Sequence, residues 1–154
     1  MNDIEYLKSC PRVHAFFERR PDMLPIMRVQ CPDGWDAAVG QALEELAALA
    51  DETGHAVRLV QVKEKLAGLR IYARMDYVPS DPADTHDYGP GGRLLGHDEE
   101  PGTLRARVAA IIRAAEARCE VACEECGAPG RVHSGGPISV LCDAHFAKYM
   151  SAKQ

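Results

Sequence analysis

Cys123-Glu124-Glu125-Cys126 is followed after fifteen residues by Cys142-Asp143-Ala144-His145. A C-x-x-C pair sets two thiols on one tight knuckle with both sulfurs aimed at a common point, and C-x-x-H supplies two further soft donors at tetrahedral reach. Either pair alone is a weak signal. Together, each with glycine punctuation, they predict a zinc site whose ligands are Cys123, Cys126, Cys142 and His145. Four protein ligands leave no position for water, so the expected zinc is structural rather than hydrolytic. Gly127 lets the chain reverse after Cys126, Pro129-Gly130 turns it into a strand, and Ser134-Gly135-Gly136 is expected to close a hairpin between residues 131–133 and 138–141. The pattern is that of a zinc ribbon with a short helix from Asp143. His133 and Cys119 stand close by and are expected as neighbours of the metal, since the four named residues already satisfy a tetrahedral ion.

Upstream of the ribbon, a helix is expected from Thr103 to about Arg118, with Leu104, Val108, Ile111, Ala115 and Cys119 as its buried stripe. It runs straight into the ribbon, where Val121, Ile138 and Val140 are available to pack against the rest. Before it, residues 76–101 have no apolar period, hold Pro79, Pro82 and Pro90, and carry seven acidic residues (Asp76, Asp81, Asp84, Asp87, Asp98, Glu99 and Glu100) against Arg93 alone. A loop of this length in a small domain is either functional or simply solvated. The functional reading is a flexible acidic arm, with Tyr77 and Tyr88 between the carboxylates, that meets a basic partner.

Residues 55–77 carry strand signals. Val57, Leu59, Val60 and Val62 fall in one strand; Leu69, Ile71, Ala73 and Met75 alternate with Arg70, Tyr72 and Arg74 in a second, with Leu66-Ala67-Gly68 between. This predicts an antiparallel hairpin with one apolar face. On the other face Lys63, Lys65, Arg70 and Arg74 gather positive charge, which either contacts phosphate or is a solvated surface. A long helix is expected from about Gly34 to Glu52, with Asp33 as N-cap, Trp35 as a core anchor against the hairpin, and Gly54 as the stop. The first 20 residues predict a short helix with Ile4 and Leu7 on one face and a second short apolar piece around Val13, Phe16 and Phe17, wrapping the domain.

At 154 residues the chain suffices for one ordinary domain plus a small appendage. The expected fold class is therefore α+β: an antiparallel hairpin-based sheet packed by two long helices over residues 1–119, with a C-terminal zinc ribbon and short helix over 120–154. Composition is globular, 46% hydrophobic and 27% charged. No apolar run approaches the roughly 20 residues a membrane span needs, and the start of the chain lacks the basic and apolar regions of a signal peptide. With three of six cysteines in the metal motif, Cys10, Cys31 and Cys119 remain as an odd set, which points to a reducing, cytoplasmic setting. A net charge of −5 argues against broad capture of nucleic acid.

Three strings carry a resemblance: Cys31-Pro32-Asp33-Gly34-Trp35; Gln61-Val62-Lys63-Glu64-Lys65-Leu66-Ala67-Gly68-Leu69-Arg70-Ile71-Tyr72; and Cys123 to Gly130 with Leu141-Cys142-Asp143. They resemble a family of short, functionally uncharacterised zinc proteins often encoded by phages and prophages. That family combines a Gly-Asp-Gly-Trp helix start, a Val-Lys-Glu-Lys-Phe-Gly-Gly-Leu-Arg-Phe-Tyr hairpin and this knuckle. The likeness runs from about residue 25 onward. Leu66-Ala67 stands where the family usually has Phe-Gly, so a relaxed turn is expected, and the acidic insertion is longer. The resemblance implies the fold and the zinc; its genomic setting directs expectation toward phage biology or bacterial conflict, and it implies no activity.

No phosphate-binding glycine loop, nucleophile elbow or H-E-x-x-H motif is present, so catalysis is not expected. What remains is a zinc-stabilised protein-binding protein, such as a cytoplasmic inhibitor or immunity-type neutraliser of a toxin, or a mobile-element adaptor. Its contact residues would be Asp81, Asp84, Asp87, Tyr88, Asp98, Glu99 and Glu100, facing a partner with a basic surface. The alternative is a nucleic-acid-binding zinc-ribbon protein using Lys63, Lys65, Arg70, Arg74, Arg105 and Arg107.

Overall fold

A computed structural model describes residues 3–154. After a 3-10 turn at Glu5–Leu7 come α1 (Pro11–Arg19), α2 (Asp36–Thr53), the strands β1 (Arg58–Lys65), β2 (Gly68–Met75) and β3 (Arg93–Leu94), α3 (Leu104–Glu120), β4 (Arg131–Val132), β5 (Val140–Leu141) and α4 (Asp143–Ala152). β2 lies between β1 and β3 in one antiparallel sheet, and β4 pairs with β5 in a second. The fold is α+β, with the antiparallel hairpin and the two long helices that the periodicities predict.

The apolar face of the hairpin is written in period two: Val62, Leu69, Ile71, Ala73 and Met75 are all buried while their neighbours are not. α3 packs on β2 and α2 on α3. Along α2, Val39, Leu43 and Leu46 recur at helical spacing and are completely buried. Gly54, at φ 72°, ends the helix with its amide on the Ala50 carbonyl.

The start of α2 differs from expectation. Residues Asp33–Trp35 form a 3-10 turn, and Asp33 makes no capping bond. Asp36 instead reaches across to the preceding helix, where its carboxylate accepts the amides of Arg12 and Val13 and caps α1. The N-terminal region is likewise more than a wrapping: residues 5–7 form a 3-10 turn rather than a helix, and α1 inserts Val13, Phe16 and Phe17 into the main core. Gly40 makes this packing possible, because any Cβ there would press on the Arg12 side chain.

The hairpin turn is tight rather than relaxed. Lys65 pairs directly with Gly68, so Leu66 and Ala67 are the two turn residues, and both are left-handed, at φ 52° and 66°. The Ala67 amide is held by the Glu64 carboxylate at 2.7 Å. At the other end of β1, a bulge at Val60 shifts the register between Leu59 and Gln61.

On α3 the buried stripe is Val108, Ala109, Ile112, Ala115 and Cys119, together with Arg105; Leu104 and Ile111 are only partly covered. Thr103 caps the helix by accepting the Ala106 amide at 3.1 Å. Of the three C-terminal apolar residues expected to pack, Val140 joins the main core, whereas Val121 and Ile138 face solvent. Among the described residues, no helix is long and apolar enough to cross a membrane.

Candidate metal centre

The first half of the centre is a knuckle. The Cys123 amide bonds the Ala128 carbonyl at 2.7 Å and the Gly127 amide returns to the Cys123 carbonyl at 2.8 Å, with Gly127 at φ 78°. The second half is a helix start. Cys142 is the N-cap of α4, and its sulfur accepts the His145 amide at 3.5 Å. The spacing C-x-x-H is thus the spacing from N-cap to third helical residue, which turns His145 back toward the sulfur it follows.

These two halves bring four donors together. Cys126 Sγ lies 3.9 Å from Cys142 Sγ, and His145 Nδ1 lies 3.6 Å from Cys123 Sγ and 3.2 Å from Cys142 Sγ. All four ligand atoms fall within 4.8 Å of one another. A tetrahedral ion with metal–sulfur bonds near 2.3 Å demands donor separations of about 3.5–3.8 Å, so the cluster has the size of a metal site. Burial opposes ionisation of Cys123, but the amides of Cys142, Cys126 and Glu125 outweigh it and bring its thiol down to about 7. For Cys126 the Ala128 amide favours the thiolate, while desolvation and the Cys123 and Cys142 thiols push its pKa up.

His133 and Cys119 lie outside the cluster of four donors. His133 is buried, bonds the Leu141 carbonyl through Nε2 at 2.8 Å and stacks flat on Phe146 at 4.0 Å, bracing β5 against α4. Cys119 faces the main core, where burial pushes its thiol up to about 12.

The centre is fastened to the domain through residues whose role the spacing of the cysteines did not reveal. The Gly34 amide donates to the Glu124 carbonyl at 2.8 Å, and the Trp35 indole N–H donates to the Ala122 carbonyl at 2.9 Å. Trp35 is fully buried. Glu124 then ties the knuckle to β5: its amide bonds the Val140 carbonyl at 2.8 Å and its carboxylate accepts the Val140 amide at 3.1 Å. The available signal was the glycine of Asp33-Gly34-Trp35, since close approach of another backbone is one of the reasons a chain places glycine.

The acidic arm is sorted by burial. Asp81, Asp84 and Asp87 each accept the amide two residues on, at 2.8, 3.1 and 2.8 Å, and so build a run of Asx turns. Tyr88 packs edge-on against Tyr77 and His86. Asp81, Asp87, Asp98 and Glu100 are exposed. Glu99 is not: its side chain is 2% exposed and lies between Arg105 Nη2 at 2.8 Å and Arg93 Nη2 at 2.8 Å. Arg105 also donates to the carbonyls of Met75, Arg93 and Leu94, at 2.8, 3.0 and 2.9 Å. This buried pair is the post on which the arm is hung.

The basic residues divide in the same way. Lys65 and Arg107 are exposed, Lys63 and Arg70 are half-buried on the outer sheet face, and Arg74 donates to the Tyr88 and Gly92 carbonyls at 3.3 and 3.1 Å. Arg105 is inside. The six therefore do not form one continuous surface.

No protein-family model, curated protein or solved structure matches the chain.

Proposed function

We propose that the chain is a non-catalytic protein-binding protein stapled by zinc. Three thiols and one imidazole at tetrahedral separation suit zinc before harder cations, and a full set of four protein donors holds the ion without offering it to a substrate. Cys123, Cys126, Cys142 and His145 would hold the metal, whose contribution is to join the knuckle to the start of α4. The reading of the partner rests on one observation: Asp81, Asp87, Asp98 and Glu100 point outward from an arm whose backbone is fixed by its own Asx turns and by the Glu99–Arg105 post. A pre-shaped acidic edge favours a partner with a basic surface, since little ordering entropy is lost on contact. The resemblance to phage and prophage zinc proteins directs this reading to an inhibitor of a toxin or a mobile-element adaptor acting in the cytoplasm.

The experiment replaces Asp81, Asp84 and Asp87 with asparagine, which keeps each turn-forming Oδ1 while removing charge. Association with a lysine- and arginine-rich peptide should slow and lose salt dependence, with metal content unchanged. Mixed-sequence DNA and RNA at low salt should not bind. Tight nucleic-acid binding that falls steeply with salt and weakens on replacing Lys63, Lys65 or Arg107 would overturn the reading in favour of a nucleic-acid role.

A further inference from the structure

β1 is the outer strand of its sheet, with β2 on one side only. Its open edge meets other backbone where the Gln30 amide donates to the Val62 carbonyl at 2.9 Å. Toward the start of the strand, among the described residues, no further backbone hydrogen bond to this edge is made. A groove of about 990 Å³ opens there between the β1 edge and the end of α2, with Met23, Leu24, Ala50, Val57, Leu59 and Val60 among its walls. On its rim Ile26 is entirely exposed and Met27 is 51% exposed, an unusual expense of apolar surface for two adjacent residues.

The charges around the groove are unequal. At one end Arg20 binds Asp22 at 3.0 Å and Asp51 at 2.9 Å, closing that cluster on itself. At the other end stand Arg58, exposed, and Arg74, whose hydrogen bonds go to carbonyls; neither has a carboxylate partner among the described residues. His55 lies along the same wall. The bulge at Val60 interrupts the edge, so only a short strand can pair with it.

We propose that the β1 edge over residues 57–60 captures a short extended segment of a partner protein, with alternate apolar side chains in the groove and an acidic side chain over Arg58 and Arg74. Main-chain bonds to the edge would supply affinity, and the apolar walls and the two guanidiniums would supply the sequence preference. A second copy of the chain is a poor occupant, because self-pairing through residues 58–60 puts both Arg58 side chains on one face as diagonal neighbours with no carboxylate between them. The proposal rests on the reading of the chain as a protein-binding protein but uses a surface apart from the acidic arm.

The test uses the full metal-loaded chain and three labelled hexapeptides, acetylated and amidated at their ends: one of alternating valine and threonine with a single glutamate, one with lysine in its place, and the glutamate peptide methylated on alternate amide nitrogens. In fluorescence anisotropy the glutamate peptide should bind at least about tenfold more tightly than the lysine peptide, and Arg58→Glu should reverse that order. N-methylation should remove binding, Ile26→Ser should weaken it, and the backbone amide resonances of Val57 to Val60 should shift on titration. Equal affinity for the two charged peptides, retained binding of the methylated one, or no binding up to millimolar peptide each overturns the proposal. So does a concentration-dependent dimer whose formation shifts the amide resonances of Val57 to Val60, which would give the edge to a second copy. The arm carrying asparagine at 81, 84 and 87 should bind the glutamate peptide normally. Failure of the groove alone leaves the arm reading intact, and failure of the arm alone leaves the groove.

Discussion

Gly34 lies against Gly127: a Cβ on Gly127 would stand 2.7 Å from the Gly34 carbonyl oxygen, and one on Gly34 would overlap the Cys123 carbonyl and the Gly127 amide. Two stretches of backbone far apart in the chain thus meet with no side chain between them. Gly34→Ala should destabilise the protein by about 1–3 kcal/mol and weaken metal retention, because the knuckle must move off the 3-10 turn that precedes α2. Gly96→Ala, at a glycine with open space around it, is the control and should be near neutral. Thermal unfolding with metal analysis of both variants decides the matter, and equal behaviour would refute the docking account.

Purified protein should carry one zinc ion, and Cys126→Ser should release it. Binding free energies of isolated zinc fingers are on the order of 10 kcal/mol, so the hairpin of β4 and β5 and the start of α4 should lose amide protection while the α2–α3–sheet core stays folded. Hydrogen exchange before and after chelation measures this. Unchanged protection at α4 would count against a structural metal.

Trp35→Ala should cost about 3–5 kcal/mol through lost packing alone. Trp35→Phe separates the two roles of the indole: it keeps most of the volume but leaves the partly buried Ala122 carbonyl without its donor, at about 1–2 kcal/mol. Urea titrations provide the numbers, and blue-shifted tryptophan emission in the native protein should report its burial.

Glu99 is poorly solvated, which opposes ionisation, yet Arg105, the Gly96 amide and Arg93 hold its pKa below the ordinary 4.5. A carboxylate whose folded pKa is depressed stabilises the fold above its unfolded pKa and loses that contribution as pH falls through the folded value. The arm should therefore loosen below about pH 4.5, seen in the tyrosine signals of Tyr77 and Tyr88, and not at neutral pH. Glu99→Gln should remove that transition and destabilise the arm by about 3–5 kcal/mol, since it leaves Arg105 buried with half a partner.

Leu66 is exposed and left-handed, a conformation asparagine tolerates far better, so Leu66→Asn should stabilise the hairpin by about 0.5–1 kcal/mol. Ala67→Gly should gain less, because the Ala67 methyl is buried and its loss offsets the relief. Chemical denaturation of the two variants tests the order.

The four candidate ligands, the two long helices and the hairpin were legible in the sequence because each rests on short-range physics. Thiols two residues apart share a knuckle wherever the chain goes, an apolar residue every third or fourth position needs a helix, and alternation needs a strand. The Asx turns at Asp81, Asp84 and Asp87 are local too, each set by one side chain and the amide two residues on. What the tertiary structure alone decided is which of several chemically equal residues goes inside. Glu99 is buried and Glu100 is not, Arg105 is buried and Arg107 is not, and Val140 enters the core while Ile138 stays in water. Asp33 caps nothing and Asp36 caps α1 rather than its own helix, because α1 arrives beside it. Nothing within a few residues distinguishes the members of these pairs; the difference lies in which distant segment packs on them, and burial of a charge is tolerable only where that segment brings its partner.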